Sequence, residues 1–443
     1  MLRHGAVSNA APRHLVLVGA GHAHAQVLRD WIDAPVPGVA LSVVSPSALA
    51  PYSGMVPGWL AGTYGYEEIC IDFAALASAA GATLIADEVR ALDAPTRRLH
   101  LHSGAVLNCD LLSLNVGSTL HPPDLSDVEV LDVPDVPEVP DVPDVPDGPD
   151  VRDGPDGPDG PEATVLCLRP LGELRRAWEA LLGQQAGDAR PLCVTAVGGG
   201  AAGVESLLAV LARLRALQPG RALRGRLVTR ADTLLPGLPT AAARALAQAL
   251  HHAGVDVLTG QAWSKDDLAL ARRQGPSAEQ HLLLWATGAE AHAWQAHSGL
   301  EVSDGGFIAI DAQLRSPSHP AVFAVGDCAA WTPPLPKAGV FAVRMGPVLS
   351  HNLRAALTGA PLRAYAPQRQ VLALLACADG SAVAARGRWA ISGATLQPLS
   401  AVFGPAPGRA LGRTLWRWKD GIDRAFLRRF DLSAGRPGSR TRP

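Results

Sequence analysis

The sequence predicts an α/β fold built from two repeated units and a smaller C-terminal α+β module. An apolar run, a glycine-rich turn and a helical stretch follow one another at residues 14–31 and again at 191–217. A further short apolar run follows each unit, at 40–44 and at 226–229. Strand, glycine turn, helix and strand in this order are typical of a Rossmann-like nucleotide-binding domain, so we expect two such domains in this chain.

Composition supports a large folded protein. The chain has 443 residues, 48% of them apolar and 18% charged, which allows extensive cores and excludes a chain disordered throughout. Its six cysteines include no C-x-x-C pair, so no local motif indicates a thioredoxin-type redox centre or a zinc knuckle. The residues up to His14 lack the apolar core of a secretory signal, and no uninterrupted apolar stretch reaches the roughly 18 residues that span a bilayer. We therefore predict a cytoplasmic protein.

The formal net charge of −2 is an average over two very different parts. Residues 124–162 carry 14 acids and one base, and the rest of the chain carries 38 bases and 27 acids. Proline at every third position from residue 134 to 161, except for Arg152, matches the three-residue repeat of polyproline II, so we expect 124–162 to be an acidic, disordered insert. The basic remainder contains no motif that reads nucleic acid, and we predict no nucleic-acid partner.

The first glycine turn is Gly19-Ala-Gly21, which directly follows a buried strand. Glycines let the backbone approach a pyrophosphate, which the positive end of the following helix attracts. Two departures stand out: His24 occupies the third glycine position, and Ser45 stands where an acid usually holds a ribose. His22 and His24 do not share a helical face, so we expect them to line the phosphate turn and we predict no metal site.

The second turn is complete, with Gly198, Gly200 and Gly203 followed by Glu205. Arg230 stands at the end of the next strand, where an NAD site usually has an acid. An arginine there can bind a 2′-phosphate, so we expect NADPH to be accepted at least as well as NADH. The alternative is an arginine that only ends a surface strand.

Two later strands end in small, conspicuous motifs. The segment 281–288 reads HLLLWATG and ends at Gly288, and 316–327 reads SPSHPAVFAVGD and ends at Gly326-Asp327. A carboxylate after a glycine at a strand end can reach a polyol hydroxyl. The helix that follows directs its N-terminus toward a bound ring system.

Together these segments resemble the pyridine nucleotide-disulfide oxidoreductases, flavoproteins with two dinucleotide sites. The resemblance rests on VLVGAGHAH (16–24), LNVGS (114–118), VGGGAAGVE (197–205), WATGA (285–289) and VFAVGDCA (322–329). It implies an enzyme that uses FAD and NAD(P)H, with an FAD domain split around an NAD(P) domain. The implied FAD contacts are Gly19, Gly21, His22, His24, Ser45, Gly117, Gly326, Asp327 and Gly339. The implied NAD(P) contacts are Gly198, Gly200, Gly203, Glu205, Arg230 and Gly288.

Within that family the chain is similar to the branch associated with selenide, water dikinase. The segments are GHAHAQVL (21–28), PYSGMVPGWLAGTY (51–64), PKAGVFAVRMGPVLSHNLRAAL (336–357) and WRWKDGIDRAFLRRF (416–430). This resemblance implies a link to selenium metabolism and names no reaction. The predicted domains are 1–123 and 291–360 for FAD, 163–290 for NAD(P), and 361–443 for the C-terminal module.

Better-known relatives differ from this chain at their acceptor sites. No cysteine pair with the spacing of the disulfide reductases is present, and Cys167 and Cys377 lie in apolar strand patterns typical of buried thiols rather than of a sulfide:quinone reductase. Arg344 and Met345 replace the glutamines that type II NADH dehydrogenases place beside a quinone. We expect Lys337 and Arg344 to stabilise the reduced flavin at a helix start, the alternative for Lys337 being an ordinary surface lysine.

The C-terminal residues 408–430 form a basic amphipathic helix, with apolar side chains at 411, 415, 418, 422 and 426. Such a helix suits contact with an anionic membrane surface. The alternative, that this face packs on the FAD domain or across a homodimer, is favoured.

The predicted function is oxidation of NAD(P)H through FAD with electrons passed to a small-molecule or quinone acceptor. Two alternatives stay open: a membrane-peripheral NAD(P)H or sulfide:quinone oxidoreductase, and a catalytically degenerate flavin-binding partner or sensing subunit.

Overall fold

The structure, a computed structural model, describes residues 12–122, 129–130, 163–268, 279–395 and 405–433. The elements up to residue 130 are β1 Arg13–Val18, α1 His22–Asp33, β2 Val39–Val44, β3 Leu49–Pro51, α2 Val56–Leu60, β4 Cys70–Asp72, α3 Phe73–Ala80, β5 Thr83–Ile85, β6 Val89–Asp93, β7 Arg98–Leu101, β8 Val106–Asn108, β9 Leu111–Leu114 and β10 Glu129–Val130.

The later elements are β11 Thr164–Cys167, α4 Leu171–Gln185, β12 Leu192–Val197, α5 Ala201–Leu217, β13 Leu223–Val228, α6 Thr240–His252, β14 Val255–Leu258, β15 Gln280–Trp285, α7 Ala293–Ala296, β16 Ile308–Ala309, β17 Val322–Ala324, β18 Ala329–Ala330, α8 Gly339–Thr358, β19 Leu372–Ala376, β20 Ala382–Arg386, β21 Trp389–Ile391 and α9 Ala406–Leu427. Short 3₁₀ turns lie at Ser53–Met55, Glu67–Ile69 and Gly326–Cys328.

The first large sheet has the strand order β17-β9-β1-β2-β5 and is parallel throughout. Leu15, Val16 and Leu17 on its central strand are fully buried, which requires cover on both faces. Helix α1 packs against α8 beside this sheet. Its edge strand β17 enters from the second half of the chain, whereas β1, β2, β5 and β9 come from the first 122 residues.

The second large sheet has the order β10-β11-β15-β12-β13-β14 and is also parallel. Its strand β10, Glu129–Val130, lies inside the predicted insert, so the prediction that 124–162 is disordered throughout is wrong for these two residues. The reason is local: they precede the proline repeat, and their amide groups can pair with Thr164 and Val165. The remainder of the insert lies outside the described residues. With two parallel sheets, each flanked by helices, the predicted α/β Rossmann-like fold class is confirmed.

The C-terminal module consists of an antiparallel sheet, β19-β20-β21, and helix α9. The helix predicted at 408–430 agrees with α9 within two or three residues, whereas no pattern predicts strand β21. Trp389 and Ile391 on that strand are 81% and 47% exposed, and the strand is three residues long, shorter than the runs by which strands are recognised.

Helix α9 packs on the rest of the protein through one face. Leu415 and Phe426 are buried on it, together with Lys419 and Asp423, whereas Trp418 is 47% exposed. The prediction of a single apolar stripe along this helix is therefore wrong, because a buried ion pair occupies two of its inward positions. Within the described parts of the chain, no helix is both long and apolar enough to cross a bilayer.

Candidate functional site

The first glycine turn is packed against Asn115. A Cβ atom at Gly21 would lie 1.9 Å from the Asn115 side-chain oxygen, and one at Gly19, whose φ is +92°, would lie 2.4 Å from the Asn115 carbonyl. Only glycine fits at either position. The Asn115 amide nitrogen donates to the Val325 carbonyl at 2.9 Å, which ties the turn to the strand end that carries Asp327.

Helix α1 begins immediately after this turn, with Gly21 as its N-cap, and the Ala23 amide donates to the Asn115 side-chain oxygen at 3.3 Å. The positive end of the helix dipole faces the turn and favours a phosphate there. Gly117 has φ +73°, and a Cβ built on it would meet no other atom within 4 Å, so the backbone borders open space there. These features fit a dinucleotide phosphate at the first turn.

His24 takes the place of the third glycine in an unexpected way. Its ring is fully buried, with Nδ1 2.7 Å from the Gly19 carbonyl and Nε2 2.8 Å from the Ser113 hydroxyl. Burial lowers the pKa of His24 to about 4, so the ring is neutral at physiological pH. The buried imidazole thus links the turn to β9 through these two hydrogen bonds and is not placed to contact a bound phosphate.

His22 and Ser45 lie at the edges of the same turn. The His22 ring packs against Tyr52 at 5.4 Å and against Phe426 at 5.9 Å, and burial lowers the pKa of His22 to about 4 against the opposing influence of Asp327. The Ser45 hydroxyl donates to the Ser47 carbonyl at 2.8 Å. Their contacts with FAD remain predictions.

Asp327 is paired with an arginine that sequence reasoning missed. Arg169 Nη1 lies 2.5 Å from Asp327 Oδ2 and also donates to the Ser118 hydroxyl. The sequence gives no signal for this pairing, because 158 residues separate the two partners and no motif surrounds Arg169. A carboxylate has about four acceptor positions, so Asp327 can still accept a ribitol hydroxyl on its other oxygen.

Lys337 lies just before the start of α8. Lys337 Nζ donates to the Ala329 carbonyl at 2.6 Å and lies 3.6 Å from the centroid of the Phe307 ring. Burial is the main cause that lowers the pKa of Lys337. Helix α8 has no side-chain cap, and a Cβ at its first residue, Gly339, would lie 2.6 Å from the Ser53 hydroxyl. Arg344, in contrast, lies on the exposed face of α8.

The second glycine turn repeats this construction. Gly198 has φ +122°, and a Cβ on it would lie 2.3 Å from the Ala286 carbonyl, whereas a Cβ on Gly203 would lie 2.0 Å from the Gly198 carbonyl. Gly200 caps α5 and has open space around it, as does Gly288 on the neighbouring strand end. The tight positions fix the turn and the open ones leave room for a pyrophosphate, so the residues fit a second dinucleotide.

The remaining two predicted nucleotide residues differ in position. Arg230 is exposed after β13, where it can meet a 2′-phosphate from solvent. Glu205 is 9% exposed, and its Oε1 accepts a hydrogen bond from the Ala376 amide at 2.7 Å, in the C-terminal module. A nucleotide contact by either residue remains a prediction.

A buried thiol and a cluster of potential metal ligands complete the set of candidate groups. Cys377 is buried, and burial raises the pKa of its thiol to about 12, so it is a poor nucleophile. Among the described residues, Cys193, Glu279 and His281 have potential ligand atoms within 4.8 Å of one another. Arg224 already pairs with the Glu279 carboxylate through two nitrogens at 2.8 and 2.5 Å, which places a cation beside any metal there. The prediction of no metal remains untested.

Comparison with known proteins identifies the class. Residues 173–347 match the family described as pyridine nucleotide-disulphide oxidoreductase, a range that holds the second glycine turn, Asp327 and the start of α8. The match covers less than half of the chain and identifies this part as a domain of that family. It agrees with the FAD- and NAD(P)-dependent oxidoreductase that the motifs predict.

Solved structures of such oxidoreductases share its fold. A sulfide:quinone oxidoreductase from Aquifex aeolicus is 13% identical with a TM-score of 0.65, covering 94% of this chain and 91% of that one. An NADH:rubredoxin oxidoreductase from Clostridium acetobutylicum is 12% identical with a TM-score of 0.58, covering 84% and 81%. A ferredoxin reductase from Rhodopseudomonas palustris is 19% identical with a TM-score of 0.56, covering 84% and 87%. These oxidoreductases match the chain in fold and have different acceptors, so the fold alone does not select one.

Proposed function

We propose that this oxidoreductase takes electrons from NAD(P)H at the second glycine turn and delivers them to an external acceptor. The observation that carries the proposal is the second turn itself, in which Gly198 and Gly203 are packed to fix the backbone while Gly200 faces open space. A protein that only stores a flavin has no need of a second dinucleotide cradle, which argues against the degenerate binding partner.

The residues of the chain orient the cofactors and provide charge near them, and they do not themselves react. The N-terminus of α1 and Asp327 would hold FAD, which when bound supplies the electron transfer between the two substrates. Lys337, fixed by the Ala329 carbonyl, places a positive charge near the start of α8 and so favours negative charge developing there. The exposed Arg230 would add affinity for the 2′-phosphate of NADPH.

The acceptor is most simply a separate molecule. Cys377 lies in the buried cluster that holds Leu375, and Cys167 packs against a different cluster around Val165, so these two thiols do not form a redox pair over one site. This arrangement does not favour reduction of a disulfide in the chain or a sulfide:quinone reaction that uses both thiols.

The test is anaerobic mixing of the purified flavoprotein with NADH or NADPH in a stopped-flow spectrometer. Bleaching of the flavin absorption band at least as fast as turnover supports the proposal. The rates at which quinones, selenium compounds, ferredoxin or oxygen re-oxidise the flavin then identify the acceptor. A yellow protein that neither nucleotide bleaches would refute it and favour the flavin-binding partner.

A membrane-peripheral quinone reductase is a second candidate, favoured by one observation. Trp418 and Ile422 on α9 are 47% and 41% exposed, and the exposed Arg417 lies beside them. Exposed aromatic and aliphatic side chains next to arginine are suited to the surface of an anionic bilayer. Co-sedimentation with anionic vesicles that is lost in Trp418→Gln/Ile422→Gln, but kept in the matched change Arg386→Gln on β20, would support this candidate.

A further inference from the structure

A cavity lies where α2, α5 and the C-terminal module meet. It has a volume of about 240 Å³ and is enclosed by α2, α5, the end of β19 and helix α9. Its walls are mostly small and apolar, including Gly58, Ala61 and Ala376, and the Trp416 ring forms one side. Exposed Thr63 lies at its rim, so the cavity opens to solvent. Among the described residues that line it, Glu205 is the one with a charged side chain.

Glu205 belongs to a buried charged cluster that the proposed function does not use. Lys419 Nζ lies 2.7 Å from Asp423 Oδ2, with these side chains 10% and 8% exposed, and it also donates to the Gly54 carbonyl at 2.5 Å. Asp423 in turn is hydrogen-bonded to the Tyr52 hydroxyl. Removing such groups from water is costly, and a cluster of this kind persists when it is fully hydrogen-bonded.

The cluster joins the cavity to the FAD turn. Tyr52 at one end packs against His22, the first residue of α1, and Glu205 at the other end forms the cavity wall. Asp423 and Lys419 stand between them and act electrostatically on Glu205. The segment Tyr52–Gly58 follows the same path, because Gly54 accepts from Lys419 and Gly58 lines the cavity.

Glu205 can exchange a proton near neutral pH. The groups that face it are Lys419 and Asp423 of α9 and Cys377 after β19. Burial raises the pKa of Glu205 to about 7, against the opposing effects of Lys419 and of the Ala376 amide. Because Oε1 accepts that amide hydrogen, a proton on the carboxyl group resides on Oε2.

We propose that this cavity binds the electron acceptor, a neutral flat compound with a carbonyl oxygen, and that Glu205 donates a proton to that oxygen. Small apolar walls and an aromatic face favour a flat, uncharged ring, and a protonated carboxyl group provides the donor that a carbonyl needs. The inference rests on the proposed function, since the electrons come from NAD(P)H.

The proton balance is complete. The acceptor gains two electrons and two protons and becomes a dihydroxy compound. NAD(P)H supplies both electrons and the equivalent of one proton, and Glu205 supplies the second as its Oε2–H bond breaks and an O–H bond forms on the acceptor. The carboxylate then regains a proton from solvent through the open rim of the cavity.

Two electron acceptors, compared in the full-length flavoprotein, distinguish proton donation by Glu205 from other roles of this residue. 2-Methyl-1,4-naphthoquinone takes up protons on reduction, whereas ferricyanide takes electrons alone. We expect Glu205→Gln to slow naphthoquinone reduction about 100-fold more than it slows ferricyanide reduction. The wild-type naphthoquinone rate should fall as pH rises past about 7, and the variant should lose this dependence. The matched control Glu301→Gln changes an exposed carboxylate and should affect neither acceptor.

Two further measurements do not depend on Glu205→Gln retaining turnover. Ala61→Leu fills the cavity without changing the carboxyl group and should cause the same selective loss with naphthoquinone. In urea unfolding, wild-type Glu205 disfavours the native state increasingly as pH rises from 5 to 8, because the folded pKa exceeds the unfolded value. The unfolding midpoint of Glu205→Gln should therefore rise relative to wild type over this range.

Several results would overturn the inference. If the wild type reduces ferricyanide but not the naphthoquinone, or if Glu205→Gln slows both acceptors equally or neither, Glu205 is not the proton donor. If the variant weakens NAD(P)H binding and leaves naphthoquinone reduction intact, the residue serves the nucleotide instead. If neither nucleotide bleaches the wild-type flavin, the proposed function itself fails.

Discussion

The buried histidine beneath the first glycine turn predicts a specific acid sensitivity. His24 is fully buried with both ring nitrogens hydrogen-bonded, and its pKa falls from 6.5 to about 4 on folding. The native state therefore binds fewer protons than the unfolded state between these pH values, and stability is lost as pH falls through that window. With these two pKa values, His24 alone removes about 2 kcal/mol between pH 7 and pH 5 and about 3 kcal/mol when the loss is complete.

The assay is urea unfolding, followed by circular dichroism, of the wild type and of His24→Gln at pH 7 and pH 5. At pH 7 the variant should be less stable by about 1–3 kcal/mol, because Gly19 and Ser113 lose their buried partner. At pH 5 that difference should shrink by about 2 kcal/mol, since the variant has no imidazole to protonate. His297→Gln, at an exposed position, should keep a constant difference from wild type. An unchanged gap for His24→Gln between the two pH values would refute the reasoning.

Further predictions concern the two cofactor sites. Gly200→Ala should fold normally, because its Cβ meets open space, and should weaken NAD(P)H binding at least 10-fold, as measured by flavin bleaching against nucleotide concentration. Gly203→Ala should instead lower the free energy of unfolding by about 1–3 kcal/mol, because its Cβ would lie 2.0 Å from a carbonyl oxygen. Lys337→Gln should lower the two-electron flavin potential by about 30 mV relative to Lys337→Arg, in spectroelectrochemistry; an equal potential in both would contradict its electrostatic role. Arg230→Ala should reduce kcat/KM for NADPH about 10-fold or more and spare NADH; equal effects on both nucleotides would show that the arginine does not bind the 2′-phosphate.

What the sequence determined by itself is local. The two turns can be recognised from the sequence by Gly19, Gly21, Gly198 and Gly203, because only glycine fits so close to a neighbouring segment. The spacing of these glycines along the chain is enough to show this constraint. Buried parallel strands are continuously apolar, so β1 and β12 could be placed within a residue from their composition. The fold class follows from these patterns, which also predict the family and the cofactors.

What only the tertiary structure decided depends on residues that are far apart along the chain. Arg169 meets Asp327 across 158 residues, and Ala376 meets Glu205 across 171, so no spacing could reveal either contact. The composition of α9 suggested an amphipathic apolar stripe. In the structure Lys419 points inward instead, because the Gly54 carbonyl and Asp423 accept its hydrogen bonds and balance its charge. Local geometry can thus be read from the order of residues, whereas the pairing of buried charges requires the packing of separate modules.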